Sequence, residues 1–295
     1  MRNAECGVRS GPRGGMDRRE FVGAAAAVTV SAFAIPQSAF RISSATRIPK
    51  IGLQLYTLRD KMKADVEGTL AKVAATGYKE VEFAGYFDKT PAEIRHILDA
   101  HGLVSPSSHV PYESMASGWS KVLDDAHVVG HKFITVAWIP QEVRTDLDGW
   151  KRVADQFNHA GQACQAAGFQ FCFHNHNYEF AAMNGTLPYD VLLATADPKL
   201  VQMEMDLYWI SSANQDPLPY FAKYPGRFPM VHVKDMGPAP EHKMMDVGQG
   251  TIDWKKIFAQ SGQAGIQHYF VEHDEPVDAF KDIKVSYEYL KSLEF

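Results

Sequence analysis

The sequence predicts an α/β protein, a single (β/α)8 barrel preceded by an N-terminal export signal. From residue 51 onward, short β-rich runs alternate with longer stretches of helical period, eight pairs in all, which is the pattern of repeated βα units around a parallel sheet. Gly77, Gly102, Gly130, Gly168 and Gly265 each follow a helical stretch and precede a strand, where a helix C-terminus commonly takes a left-handed residue. The ends of the strands are unusually rich in ionisable groups.

In chain order, the strands read 51–56, 80–84, 103–108, 133–137, 169–174, 201–206, 228–234 and 268–272. Between them, residues 66–75, 91–101, 150–167, 252–260 and 277–293 carry apolar side chains at spacings of three and four, the stripe of a helix packed on a sheet. No linker or shift in composition divides residues 50–295, so the expected organisation is a leader over 1–49 and one barrel over 50–295. An open doubly wound sheet is the competing arrangement. No Gly-x-Gly-x-x-Gly turn follows any strand, which weakens a dinucleotide-binding version.

The leader has three parts. Met16-Asp-Arg18-Arg19-Glu-Phe21-Val22 is charged, residues 23–34 are apolar and Ala-rich, and Ala32-Phe33-Ala34 is a small-x-small site. The consecutive arginines followed by Glu-Phe-Val resemble a twin-arginine signal, which implies the twin-arginine export machinery as a partner and a periplasmic or secreted destination. The apolar segment is too short for a stable membrane anchor. Cleavage after Ala34 leaves about 260 residues, close to the size typical of one such barrel.

A formal net charge of -5 gives no basic footprint, so nucleic acid is a poor partner and a small molecule the better one. Three cysteines cannot form a disulfide framework, and Cys164 and Cys172 read as buried free thiols.

In a barrel of this kind, chemistry gathers at the C-terminal ends of the strands. There lie Tyr56, Glu82, His109, Trp138, His174-Asn-His176-Asn-Tyr-Glu179, Asp206, His232 with Lys234, and Glu272. Asp206, His232 and Glu272 end three consecutive strands. Their burial and mutual repulsion would be offset by a cation, and one imidazole with carboxylate oxygens suits one divalent metal ion: Mn2+, Co2+, Mg2+ or Zn2+.

Asp206, His232 in His-Val-Lys-Asp, Asp246-Val-Gly-Gln-Gly250 with Asp253-Trp254, and Val-Glu272 together resemble the xylose-isomerase-like sugar isomerase and epimerase superfamily, as does the opening 52–59. The resemblance covers residues 50–295. It implies a mononuclear site of Glu, Asp, His and Glu, with the metal holding a carbonyl and a hydroxyl of a carbohydrate while the glutamates move protons. Asp206, His232 and Glu272 carry over directly. The first Glu, expected in a Glu-Asn-His at the end of the fifth strand, is replaced here by His174. The nearest acid, Glu179, is the expected fourth ligand; otherwise His174 or His176 binds through a ring nitrogen, since residues two apart on a strand share a face. The His-Asn-His…Glu-Phe form resembles an exported branch associated with keto-sugars and keto-glycosides.

The expected activity is isomerisation or epimerisation, with Glu272 or Glu179 removing a proton beside a carbonyl to form an enediolate. Expulsion of a leaving group instead would make the protein a lyase on 3-keto-glycosides, and loss of the usual fifth-strand Glu would also suit a sugar-binding protein without catalysis. Lys234 is read as stabilising the oxyanion or binding a hydroxyl, against a lysine merely paired with Asp235 or Glu272. His109 is read as a second acid or substrate contact. Tyr56, Trp138 and Trp209 would wall the sugar, with His174 and His176 beside it. Residues 237–250 form the longest irregular insertion, a lid or a passive loop.

Overall fold

In the computed structural model, which describes residues 46–295, the eight apolar runs close into a barrel of parallel strands. These are β1 (Ile51–Gln54), β2 (Glu80–Phe83), β3 (Val104–Val110), β4 (Phe133–Val136), β5 (Gln170–His174), β6 (Val201–Asp206) and β7 (Met230–Val233), with β10 (His268–Val271) completing the ring. Between β7 and β10 a side hairpin pairs β8 (Asp235–Met236) with β9 (Met244–Met245). The ring closes where β1 pairs with both β2 and β10. The export signal lies outside the described residues; within them, no helix is long and apolar enough to cross a membrane. Residues 46–49, assigned to the leader from sequence, bind the C-terminus: Thr46 and Phe295 exchange backbone hydrogen bonds of 2.9 and 3.0 Å.

Local chemistry accounts for the elements. The helix Pro91–His101 begins in a capping box, Thr90 Oγ1 accepting from Glu93 N–H at 3.2 Å and Glu93 Oε2 from Thr90 N–H at 2.8 Å, with proline in the first turn. It ends at Gly102, whose φ of 63° lies in the left-handed region. The helix expected over 150–167 spans Leu147–Ala166 and starts early because the Asp146 carboxylate caps it by accepting from Gly149 N–H.

The barrel axis has three layers, set by the alternation of side chains along each strand. At the bottom, Glu80 accepts from His268 Nδ1 at 2.7 Å. Above it, Cys172, Met230 and Phe270 form a small apolar cluster. The Phe270 ring occupies the axis so fully that a Cβ on Gly52 would lie 2.6 Å from it, which explains a glycine in mid-strand. Above this plug the axis is polar. Cys164 and Cys172 are buried free thiols, and burial pushes the Cys164 pKa up to about 12.

At two strand ends a side chain or a change of direction explains the departure from the sequence reading. β1 stops at Gln54, whose side chain accepts from Tyr56 N–H at 3.0 Å and opens a turn of 3-10 helix, Leu55–Leu58. β7 stops at Val233, where the chain leaves the barrel for the hairpin. The insertion after it is ordered by one carboxylate, Asp235, which accepts from the N–H groups of Gly248, Gly250 and Ile252 and from Trp254 Nε1. Those bonds correct one reading: Asp235 is committed to the loop and is not a partner of Lys234.

Candidate metal centre

Three side chains converge above the apolar plug from consecutive strands of the ring. β6 contributes Asp206, β7 contributes His232, and Glu272 follows β10; all three are buried, and one ligand atom from each lies within 4.8 Å of the others. Asp206 is divided between two tasks. Its Oδ1 caps the helix Leu207–Ser212 by accepting from Tyr208 N–H at 2.9 Å and Trp209 N–H at 2.8 Å, which leaves Oδ2 facing the axis. His232 Nδ1 is 2.7 Å from Glu272 Oε2.

The fourth expected ligand is not in this group. Glu179 is fully buried, but its Oε2 accepts from His176 N–H at 2.9 Å within its own 3-10 turn, Tyr178–Phe180. The tight turn folds the carboxylate back beneath the backbone that precedes it, and desolvation there raises its pKa to about 8. This corrects the expectation that Glu179 is ligand or base. His174, at the end of β5, lies between two groups of candidate ligands that share His232: its Nε2 is 3.7 Å from Asp206 Oδ2, while its Nδ1, 3.3 Å from Glu204 Oε2, belongs to a second group of His109, His174, Glu204 and His232. Burial lowers the His174 pKa well below the usual histidine range, so its nitrogen is a neutral donor.

The donor set fits a divalent cation. Among the described residues, His174 Nδ1 and Glu204 Oε1 are buried without a hydrogen-bond partner, Asp206 Oδ2 has only the Lys234 ammonium beside it, and one carboxylate pair with two imidazoles is the mixture that Zn2+, Mn2+ or Co2+ takes.

Lys234 adds a fixed positive charge beside these acids. Its buried Nζ lies 2.6 Å from Glu272 Oε2, 3.0 Å from Asp206 Oδ2 and 2.8 Å from Asp274 Oδ1. Burial alone would lower its pKa; Asp206, Glu272 and Asp274 overcome that and hold it well above the ordinary lysine value. Burial raises Glu272, but Lys234 and His232 outweigh it and leave the carboxyl ionised. The sequence alternatives for Lys234, mouth residue or partner of Glu272, are thus both realised.

A cavity of about 310 Å3 opens above the acids, bounded by Tyr56, His109, Trp138, His174, His176 and Glu272 among others. Tyr56 and Trp138 are 43% and 54% exposed, as groups that wait for an apolar surface are. His176 stacks on Tyr178, and burial holds its pKa down at about 3. Trp209 lies behind Lys234, which sits 5.7 Å from its ring centroid, and it borders a neighbouring cavity with Tyr208 and His242 rather than this one. Its expected place in the sugar wall is therefore corrected. A larger cavity of about 530 Å3, between the helix Leu147–Ala166 and the loops after β3 and β4, is mostly apolar and gathers no comparable set of buried ionisable groups.

Sequence reading missed Glu204 and undervalued Glu82. Both are completely buried: His109 Nε2 is 2.7 Å from Glu204 Oε2 and 3.2 Å from Glu82 Oε2. The signal was present, since Glu204 is two residues before Asp206 and shares its face of β6. Desolvation of His109 is outweighed by these two carboxylates, which raise its pKa to about 9.

Residues 70–293 match the family model described as the xylose isomerase-like TIM barrel. The chain belongs to that family. Among its xylose isomerase-like relatives, an inosose dehydratase of Lacticaseibacillus casei is 26% identical over 245 residues, covering 71% of this chain and 82% of that one. A sugar phosphate isomerase/epimerase from Parabacteroides distasonis superposes with a TM-score of 0.73 at 27% identity, over 85% of this chain and 96% of its own. The IOLI protein, whose crystal structure has a bound zinc atom, shares the fold with a TM-score of 0.65 at 13% identity, over 81% of this chain and 95% of its own.

Proposed function

We propose that this protein is a divalent-metal-dependent lyase that eliminates a leaving group, water or an alcohol, from the carbon β to the carbonyl of a cyclic polyhydroxy ketone. The observation that carries this reading is that an imidazole, His109, and a carboxylate, Glu272, border one cavity. Glu82 and Glu204 shift the first towards its protonated form while Lys234 and His232 favour the ionised form of the second, so a proton donor and a proton acceptor meet the same small molecule. The dehydratase relative and the keto-glycoside resemblance support the same outcome.

Asp206, His232, Glu272 and His174 would hold the metal, whose chemistry when bound is that of a Lewis acid stabilising negative charge on a ketone oxygen. Glu272 accepts the C–H proton beside the carbonyl. Lys234 lies 2.6 Å from that carboxylate and stabilises negative charge developing near it. His109 gives its proton to the departing oxygen, and Trp138 and Tyr56 cover the apolar face of the ring. Zn2+ is the first ion to test, given the zinc of the IOLI protein, with Mn2+, Co2+ and Mg2+ beside it.

Isomerisation or epimerisation is the second reading, favoured by the Parabacteroides neighbour, and uses the same proton abstraction with return of the proton to carbon. Incubation of metal-loaded protein in D2O with an inosose, a 3-keto-glycoside and free ketoses separates the two. Release of water or aglycone supports the lyase; deuterium incorporation without release supports the isomerase; neither, with all four metals, sinks both. The leader of residues 16–34 supports placing this activity in the periplasm, which cell fractionation of the full-length chain tests.

A further inference from the structure

In the chemistry above Glu82 touches no substrate and serves only, with Glu204, to hold His109 protonated. It is fully buried on β2, it does not border the mouth cavity, and nothing about its burial is favourable unless its charge is used. Its Oε2 is 2.7 Å from His232 Nε2 and accepts from Gln54 Nε2 at 2.8 Å. The Gln54 amide cannot turn freely, because its Oε1 accepts from Tyr56 N–H at 3.0 Å, so the amide nitrogen is committed to Glu82. His232 is clasped in turn: the His109 ring stacks on it at 5.2 Å with an interplanar angle of 8°, and its two nitrogens face Glu82 on one side and Glu272 on the other.

We propose that Glu82, tethered by Gln54, is a positioning residue that acts through His232. Both ring nitrogens of His232 face a carboxylate at 2.7 Å, and a carboxylate only accepts hydrogen bonds; a cation shared by Asp206, Glu272 and His232 would displace the hydrogen on Nδ1, the nitrogen beside Glu272, while Nε2 keeps its hydrogen towards Glu82. The relay Gln54–Glu82–His232 therefore selects the metal-ligating nitrogen, fixes the plane of the ring and makes the imidazole a stronger donor. This inference rests on the metal reading of Asp206, His232 and Glu272.

The test is Co2+ affinity, measured by chelator competition on the full chain together with the visible spectrum of the Co2+ form, in wild type, Glu82→Gln, Gln54→Met and Asp206→Ala. Glu82→Gln is expected to weaken Co2+ binding about 10- to 100-fold and to shift the Co2+ bands, since outer-shell partners of ligating histidines have effects of this size. Gln54→Met, which leaves the charge but frees it, is expected to act in the same direction by about 3-fold or more, and it decides the matter if Glu82→Gln does not fold. Wild-type affinity within 2-fold in both variants overturns the relay while Asp206→Ala still shows the metal site. Complete loss of Co2+ in Glu82→Gln, equal to that in Asp206→Ala, also overturns it by making Glu82 a ligand. Absence of Co2+ binding in wild type overturns both the relay and the metal reading.

Discussion

Lys234 and Glu272 form a buried ion pair at the mouth of the barrel, with Nζ 2.6 Å from Oε2, and the same ammonium lies 3.0 Å from Asp206. Lys234 is thus the counter-charge of these acids. Lys234→Met should destabilise the metal-free protein by about 3–5 kcal/mol, as removal of one partner of a buried pair does. Added Zn2+ should then raise the melting temperature of the variant more than that of wild type. Equal shifts in a thermal melt with and without Zn2+ would contradict this.

Asp206→Ala and His232→Ala should each weaken metal binding at least about 100-fold while circular dichroism stays that of the barrel. Asp206→Ala should also cost about 1 kcal/mol from the lost cap of the helix Leu207–Ser212. Full metal content in either purified variant removes the assignment.

Glu179→Gln separates the two candidates for the fourth position. Its carboxylate caps His176 N–H and is not among the grouped ligands, so the variant should keep metal and activity within about 3-fold. His174→Ala should lose both. The reverse pattern would restore the ligand expected from sequence.

Trp138→Ala tests the sugar wall. Because the ring is 54% exposed, stability and metal content should hardly move. KM should rise about 3- to 10-fold with kcat little changed, the size of one aromatic contact. An unchanged KM would make the exposure incidental.

His131 gives the barrel a pH dependence away from the site. Its Nδ1 donates to the Ser105 carbonyl at 2.8 Å, its Nε2 is 2.9 Å from Tyr86 Oη, and burial lowers its pKa to about 4. An unfolded histidine titrates near 6.5, so between the two values the unfolded chain binds the extra proton, and stability is lost as pH falls from about 6.5 towards 4. The contribution is up to about 3 kcal/mol. Urea unfolding at pH 7 and pH 4.5 should show this loss reduced in His131→Leu; equal losses in both proteins would exclude it.

Much of this was legible before folding was considered. All eight strand segments were placed, with 201–206 matched to the residue and the others off by one or two at an end. Errors came where a side chain redirected the backbone: Gln54 ends β1 by accepting from Tyr56, and Asp235 draws the chain after β7 into the hairpin. A period of two or 3.6 says nothing about a single hydrogen bond. Glu204 differs: it lies two residues before Asp206 on β6 and so shares its face, a placement that the alternation of a strand already contains.

The sequence by itself determined the barrel and the trio Asp206, His232 and Glu272, since hydrophobic period sets the strands and barrel topology sends strand ends to one mouth. Only the tertiary structure decided what surrounds the trio. Glu179 was set aside by a turn of a few residues, Lys234 was brought against Glu272, and Glu82 and Glu204 against His232, from parts of the chain distant in sequence. The distances that decide such pairings, and the burial that makes each charge depend on its partner, come into being only when the ring closes.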